Sequence, residues 1–411
     1  MKQAPMFALL FVAGVAAAAE PPYDLVIRGG RVVDPKNGID AALDVAIVGD
    51  KVVKVAPGIP PTDAKQTVDA TGKIVTPGLV DMHVHVFHGT ERNAYLSNGF
   101  DAVSPDGFTL RTCVTTAVDA GGAGWRNVAQ FKDQVVDRAK TRVLAWLNIV
   151  GGGMKGGAAE QNPADLESLP ATQAIRDYKD FVIGVKTAHY KGGWAAVDHA
   201  VQAAGGAGVP VMVDFGDFKP ELSLEDLLLR RLRPGDVFTH VYAKIEGRTS
   251  VIDANGKLQP YLLEARKRGV IFDVGHGGGS FVYAQAEPAL AQGFPPDTIS
   301  TDLHSTSMNA GMKDMPNIMS KLLTLGLSVA EVVAKSTSVP AKTILRPELG
   351  QIGVGAGADV AVFSLRDGAF GYVDIDGVKR LGRQRLECEV TVRGGKVAWD
   401  LNGLSLPNPS R

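Results

Sequence analysis

Hydrophobic positions change their rhythm twice along this chain. From Tyr23 the segments YDLVIRGGRVVD, DVAIVGDKVVKVAPG and QTVDATGKIVTPGLVD are short runs rich in Val and Ile, broken by Gly-Gly, Gly-Asp and Pro-Gly. Runs of that kind between turn residues predict a small antiparallel sheet. The same texture returns near the other end, in GADVAVFSL and LECEVTVRGGKVAWD. Both ends are therefore predicted to build one small β-sandwich.

Between them, apolar runs alternate with helix-like stretches. LVDMHVHV, VTTAVDAGG, RVLAWLNIVGGG, FVIGVKTAHY, VPVMVDFGD, DVFTHVYA, GVIFDVGHGGG and DTISTDLHS supply eight candidate strands. Stretches between them, such as AAVDHAVQAAGGAG and LQPYLLEARKRG, read as helices closed by glycine. Near-continuous apolar strands joined by helices predict a parallel (β/α)8 TIM barrel of the α/β class, whose functional residues gather at the C-terminal ends of the strands. The predicted division is residues 1–19 as a leader, 20–77 and 345–411 as the sandwich, and 78–344 as the barrel.

A length of 411 residues suits this pairing of a large and a small unit. With 45% hydrophobic and 21% charged residues, the chain matches ordinary globular proteins, not disordered chains or membrane bundles. A formal net charge of −1 argues against nucleic acid or an anionic membrane as partner. The basic runs Arg230, Arg231, Arg233 and Arg266, Lys267, Arg268 are expected on solvated helix faces. Self-association is left open.

The first residues, MKQAPMFALLFVAGVAAAAE, place Lys2 ahead of an apolar stretch ending in small alanines. This pattern predicts a secretory signal peptide cut near Ala19, and hence a periplasmic or secreted protein; the rival reading is an uncleaved anchor. The two cysteines, Cys113 and Cys388, have no metal-site spacing. An exported protein could join them, but their apolar, strand-like surroundings predict two buried free thiols.

His83 and His85 lie two apart in a strand, so their side chains point the same way, into the barrel mouth. Two imidazoles so placed can share one zinc-like ion. Taken alone, the pair is weak evidence, since satisfied core or surface histidines are commoner. Lys186, Asp214, His240, His276, Asp302 and His304 also fall at or just after predicted strand ends, as do His88 and His189, whereas His199 in VDHAVQ reads as surface. The glycine-rich stretch from Gly151 to Pro170 is long for a strand-to-helix connection and is expected to form a mobile lid. It lacks the spacing of a phosphate-binding loop.

The segment GKIVTPGLVDMHVH resembles the motif that opens the barrel in the amidohydrolase superfamily, the group of dihydroorotases, hydantoinases and metal-dependent deacetylases. GQIGVGAGADVAVFSL resembles that family's return into its sandwich, and the resemblance spans nearly all of the chain after the leader. VTTAVDAGGAG, GVKTAHY, GDVFTHVY, DVGHGGGSF and PDTISTDLHS are closest to the amidohydrolase/deacetylase branch. The resemblance implies that His83, His85, Lys186, His240 and Asp302 hold two divalent ions, zinc first and manganese or iron as alternatives. It implies a carbamylated Lys186 bridging the ions and Asp302 as both ligand and acid/base. On its residue type alone, Lys186 could instead snorkel at a strand end, and Asp302 could be a cap. At strand five, where relatives place histidine, this chain has Asp214. Aspartate is a competent ligand that favours harder metals; if it does not ligate, the site holds one ion. His276 and His304 are expected to bind substrate or orient ligands.

The implied activity is hydrolysis of an amide or activated ester of a small acylated amino acid or hydroxy acid, by water activated at the metals. Opening of a cyclic amide is the alternative reaction. A barrel that binds metal or ligand without catalysis is the alternative class, and only Asp214 motivates it.

Overall fold

A computed structural model describes residues 20–407 of the chain. The predicted signal peptide lies outside these residues. Seven parallel strands form one curled sheet in sequence order: Leu79–Val84, Val114–Gly124, Arg142–Asn148, Val182–Thr187, Val211–Val213, Val237–Phe238 and Ile271–Phe272. The eighth predicted strand is present as an extended path. It pairs with the seventh through Asp273–Thr298 and with the first through Val84–Leu303. Backbone bonds from His276 to Ser300 (3.2 Å), from Asp302 to His83 (2.7 Å) and from His85 to Leu303 (2.8 Å) close the barrel.

The first four strands are buried along almost their whole length. A parallel sheet wrapped by helices has no solvent face, which is why these segments are apolar without alternation. Helices such as Ser168–Asp177, Ala195–Ala207 and Met315–Thr324 cover the outside, and their buried residues join one core with the strands.

Both chain ends meet in a second sheet of eight strands among the described residues. Its seam is Ile74–Pro77, which pairs in parallel with Tyr23–Asp34 and antiparallel with Val360–Val373. Leu25, Ile27, Val45, Val75, Val362 and Val390 contribute to a core of its own. The alternation read from the sequence is visible there, with inward Val and Ile between exposed polar residues.

One expectation is overturned. Cys113 and Cys388 are joined in a disulfide, with Cα atoms 5.7 Å apart. Cys113 immediately precedes the second barrel strand, and Cys388 lies in Lys379–Arg393 of the other sheet. The bond therefore staples barrel to sandwich. Both cysteines are buried as expected, but 275 positions of separation gave no hint of their contact.

The basic runs also do more than face solvent. Arg231 stacks over Trp194 at 4.0 Å and Arg266 over Phe294 at 3.9 Å, while Arg268 donates to the Leu228 carbonyl. His199 is half-buried against Ser168. Among the described residues no helix is long and apolar enough to cross a membrane.

Candidate active site and metal centre

Strand ends bring six of the predicted residues to one mouth of the barrel. His83 Nε2 lies 3.5 Å from Asp302 Oδ1, and His85 Nε2 lies 2.9 Å from the same oxygen. One ligand atom from each of these three residues falls within a 4.8 Å cluster. Lys186 Nζ is 3.1 Å from His83 Nε2. His240 Nε2 faces Asp214 Oδ2 at 3.3 Å. All are buried except Asp214, which is partly so.

The hydrogen bonds fix which ring nitrogen carries a proton. Asp273 accepts from the hydroxyls of Thr239 (2.8 Å), Thr298 (2.6 Å) and Ser300 (2.6 Å). Thr239 has spent its one hydrogen on that carboxylate, so the 3.0 Å contact between its oxygen and His83 Nδ1 requires His83 to donate. The His83 Nε2 lone pair is thereby turned into the site. His240 is set the same way by the Gly275 carbonyl, 2.5 Å from its Nδ1. Such partners fix the ring orientation that a metal ligand needs.

The charges are balanced locally. Burial works against ionised Asp214, but the His240 imidazole and Lys186 hold its carboxyl well below the usual range. Burial likewise opposes charge on His240, and Asp214 raises it above the ordinary histidine value. Burial pushes Lys186 down against the pull of Asp214 and Asp302. Burial, then Lys186, lowers His83 far below its ordinary value. A carboxylate facing an imidazole nitrogen at 2.9–3.3 Å needs a cation between them, either a proton or a metal.

Divalent ions fit these residues. The donors are imidazole nitrogens and carboxylate oxygens, the set used by zinc and its neighbours. Buried His85 Nδ1 has no hydrogen-bond partner among the described residues. A side chain at Gly121 would strike the Lys186 stem (2.8 Å), and one at Gly277 would strike Asp302 Oδ2, so both glycines keep this floor clear. His240 (φ 58°) and Asp302 (φ 53°) hold left-handed backbone, which costs about 1–3 kcal/mol each and persists only where surroundings enforce it.

Above the floor opens a cavity of about 1000 Å³, lined among others by Tyr95, Lys155, His189, Asp214, His240 and Ile245. Ring centroids of His304 and His85 are 6.0 Å apart, so His304 does join the site. His276 does not reach it as a substrate ligand. It is fully buried, with Nδ1 2.9 Å from the Gly277 carbonyl, Nε2 2.5 Å from Lys321 Nζ, and its ring stacked on Phe281. Both nitrogens are engaged, so the assignment to substrate binding is corrected. His88 caps locally on the Val86 carbonyl.

The start of the glycine-rich stretch is hydrogen-bonded along the cavity wall. Gly151 and Gly152 are bonded to Asp165, Met154 to Gly121, and Leu96 and Tyr95 to Met154 and Lys155. Sequence reasoning missed Thr239, Asp273, Arg248 and Glu160. The acid in the otherwise apolar VIFDV was a usable signal for Asp273. Arg248, buried and donating to the His240 carbonyl at 2.8 Å, carries none in its surface-like sequence.

No protein-family model matches the chain. A deacetylase of Enterococcus faecalis is 31% identical over 91% of this chain and 99% of its own length. A deacetylase of Agrobacterium fabrum is 32% identical over 85% of each. Among solved structures, an adenine deaminase has a TM-score of 0.82 at 29% identity, covering 92% of this chain and all of its own. A dihydroorotase has a TM-score of 0.79 at 29% identity, over 91% and 98% of the two chains. A D-hydantoinase, with a TM-score of 0.63 at 15% identity, shares the fold. Identity at this level over almost the whole length, on a barrel whose strand ends carry a metal-competent cluster, makes the chain a member of the amidohydrolase superfamily and a metal-dependent hydrolytic enzyme.

Proposed function

We propose that the enzyme removes an acyl group from a small acylated amino acid or hydroxy acid, cleaving an amide or an activated ester. The observation that carries the proposal is the convergence of His83, His85 and Asp302 on one buried point beneath an open cavity. The deacetylases similar along most of the chain support an acyl substrate.

His83, His85 and Asp302 would hold one divalent ion, with Asp214 and His240 holding a second. Lys186, once it has lost a proton and taken up carbon dioxide as a carbamate, would supply anionic oxygens to both. Zinc suits the imidazoles best, and Asp214 in a histidine's place leaves manganese or iron competitive. Bound ions of this kind polarise a carbonyl and acidify water towards a pKa of about 7. Asp302, paired with His85, would take the water's proton and return it to the leaving nitrogen or oxygen. His304 borders this point and orients the bound group. If Asp214 does not ligate, one ion is held.

We also propose that the protein is exported. A disulfide persists in oxidising compartments and is rare in the cytosol, which supports the leader read at residues 1–19.

The test is metal analysis of the purified protein with a screen of N-acyl amino acids, O-acyl hydroxy acids and cyclic imides. About two ions per chain and acyl release that disappears in Asp302→Asn are expected. Preferential turnover of cyclic imides would move the assignment to ring opening, the activity named in the dihydroorotase neighbour. No bound metal and no turnover in any class would overturn it.

A further inference from the structure

Beyond His240, the cavity is lined by Lys155, Lys191 and His189, and the two lysines are matched by carboxylates. Lys155 pairs with Glu91 at 3.3 Å, and Lys191 pairs with Asp217. His189 is built differently. Its Nδ1 lies 3.2 Å from Oε2 of Glu160, a carboxylate with no exposed surface, while 39% of the His189 side chain is open. Its Nε2 has no hydrogen-bond partner among the described residues.

Hydrogen bonds tie down the backbone around this pair. The neighbouring Gln161 bonds the His189 carbonyl through Nε2 (2.7 Å) and the Lys191 amide through Oε1 (2.9 Å). Gly156 N donates to the other Glu160 oxygen. His189 itself sits at φ 59°, a left-handed conformation that ordinary residues avoid. Burial of a glutamate with no second side-chain partner is unfavourable unless a cation accompanies it. Burial opposes the charge on His189, but Glu160 raises its pKa above the ordinary value. The lining also includes Tyr95, Phe100 and Ile245, and the Tyr95 ring lies 6.0 Å from the His189 ring.

We infer that the His189–Glu160 pair is a carboxylate clamp, which selects acylated acids whose free carboxylate meets His189 Nε2 and whose apolar side group lies along Tyr95, Phe100 and Ile245. This rests on the acyl-hydrolase reading and narrows it to anionic substrates. A charge-assisted bond in a partly desolvated pocket discriminates strongly between a carboxylate and its neutral isostere.

The probes are N-acetylphenylalanine and N-acetylphenylalaninamide, followed by acetate release and by calorimetric binding to Asp302→Asn. In the enzyme, KM and Kd for the acid should lie about 10- to 100-fold below those for the amide. In His189→Asn that ratio should collapse towards one. Asparagine tolerates the left-handed backbone, so the wall is kept. Glu160→Gln, which keeps the bond to Gly156 N, should weaken the ratio in the same direction, and metal content should stay unchanged in both variants. Equal affinity of the enzyme for acid and amide, or a preference that survives His189→Asn, would overturn the clamp and leave the hydrolase assignment standing. Binding of the acid that depends on His189, without acetate release by the enzyme, would keep the clamp and overturn the acyl-hydrolase reading.

Discussion

Thr239→Val removes one oxygen from beneath the metal centre while keeping the branched shape of the side chain. In the enzyme that oxygen accepts from His83 Nδ1 at 3.0 Å and donates to Asp273 at 2.8 Å. Asp273 keeps its bonds from Thr298 and Ser300 at 2.6 Å each, so the carboxylate remains solvated by the protein. His83 loses more. Its Nδ1 is left 4.0 Å from Asp273 Oδ2, beyond hydrogen-bond reach, in a ring with no exposed surface. The ring can then place its proton on Nε2, the nitrogen that faces Lys186 and Asp302.

Loss of such an outer partner lowers metal affinity by roughly 10- to 100-fold, equivalent to about 1.4–2.8 kcal/mol. Nδ1, left without a partner in either tautomer, adds about 1–3 kcal/mol of destabilisation to the metal-free fold. Competition against a chromophoric chelator measures the first quantity, and denaturant unfolding of metal-free protein the second. Thr239→Ser keeps the hydroxyl and should behave like the enzyme. Unchanged metal affinity in Thr239→Val, or an equal loss in Thr239→Ser, would refute the tautomer argument.

Other expectations follow from the same geometry. Asp214→Ala should lower metal stoichiometry from about two ions towards one; unchanged stoichiometry by elemental analysis would remove Asp214 from the ligand set. Metal uptake should strengthen as pH rises. His240 keeps its proton in the metal-free protein up to a raised pKa, and binding must displace it, so affinity should climb by up to tenfold per pH unit below that pKa and level off above it. A chelator titration that is flat from pH 5 to 8 would contradict this. Reducing the disulfide, or replacing Cys388 with Ala, should cost about 2–4 kcal/mol because the bridge closes a very long loop; a thermal midpoint unmoved by reductant would show that the staple carries no stability. Lys321→Met should destabilise the fold by about 3 kcal/mol or more, because it strands His276 Nε2 and the Val373 and Gly311 carbonyls, all within 3.3 Å of Nζ. Denaturant unfolding checks it, and a loss below about 1 kcal/mol would count against that role.

What was legible in the sequence was whatever the backbone period dictates. Buried parallel strands must be apolar throughout, so a polar residue at a strand's C-terminal edge stands out, as His83, Lys186, His240 and Asp302 do; that they act as ligands was implied by the family resemblance and not by this pattern. The sheet of both chain ends was legible because β-branched runs bounded by glycine pairs have few other solutions. Contacts set by tertiary packing were not. Glu160 lies in a loop of small and polar residues, where a glutamate reads as solvated, yet it is buried because His189 from the next strand end reaches it. His276 shows the reverse error: a strand-end histidine enclosed by Phe281 of its own segment and by Lys321 from a later helix. The disulfide belongs to the same class, since it depends on how the sandwich docks.

The residues that could not be foreseen are those that make the site stiff. Asp119 accepts from the amides of Val86, Phe87 and Gly122 and fixes the turn after His85, and Asp81 accepts from the amides of His83 and Thr301 across the barrel seam. Arg248 grips the carbonyl of left-handed His240. These bonds oppose the backbone's tendency to relax at His240 and Asp302, so the ligand set is aimed before any ion arrives. Pre-aimed ligands lose less freedom on binding. In this barrel, therefore, the left-handed strand ends and the buried carboxylates form one device: each carboxylate anchors a backbone turn that would otherwise swing a ligand out of the mouth.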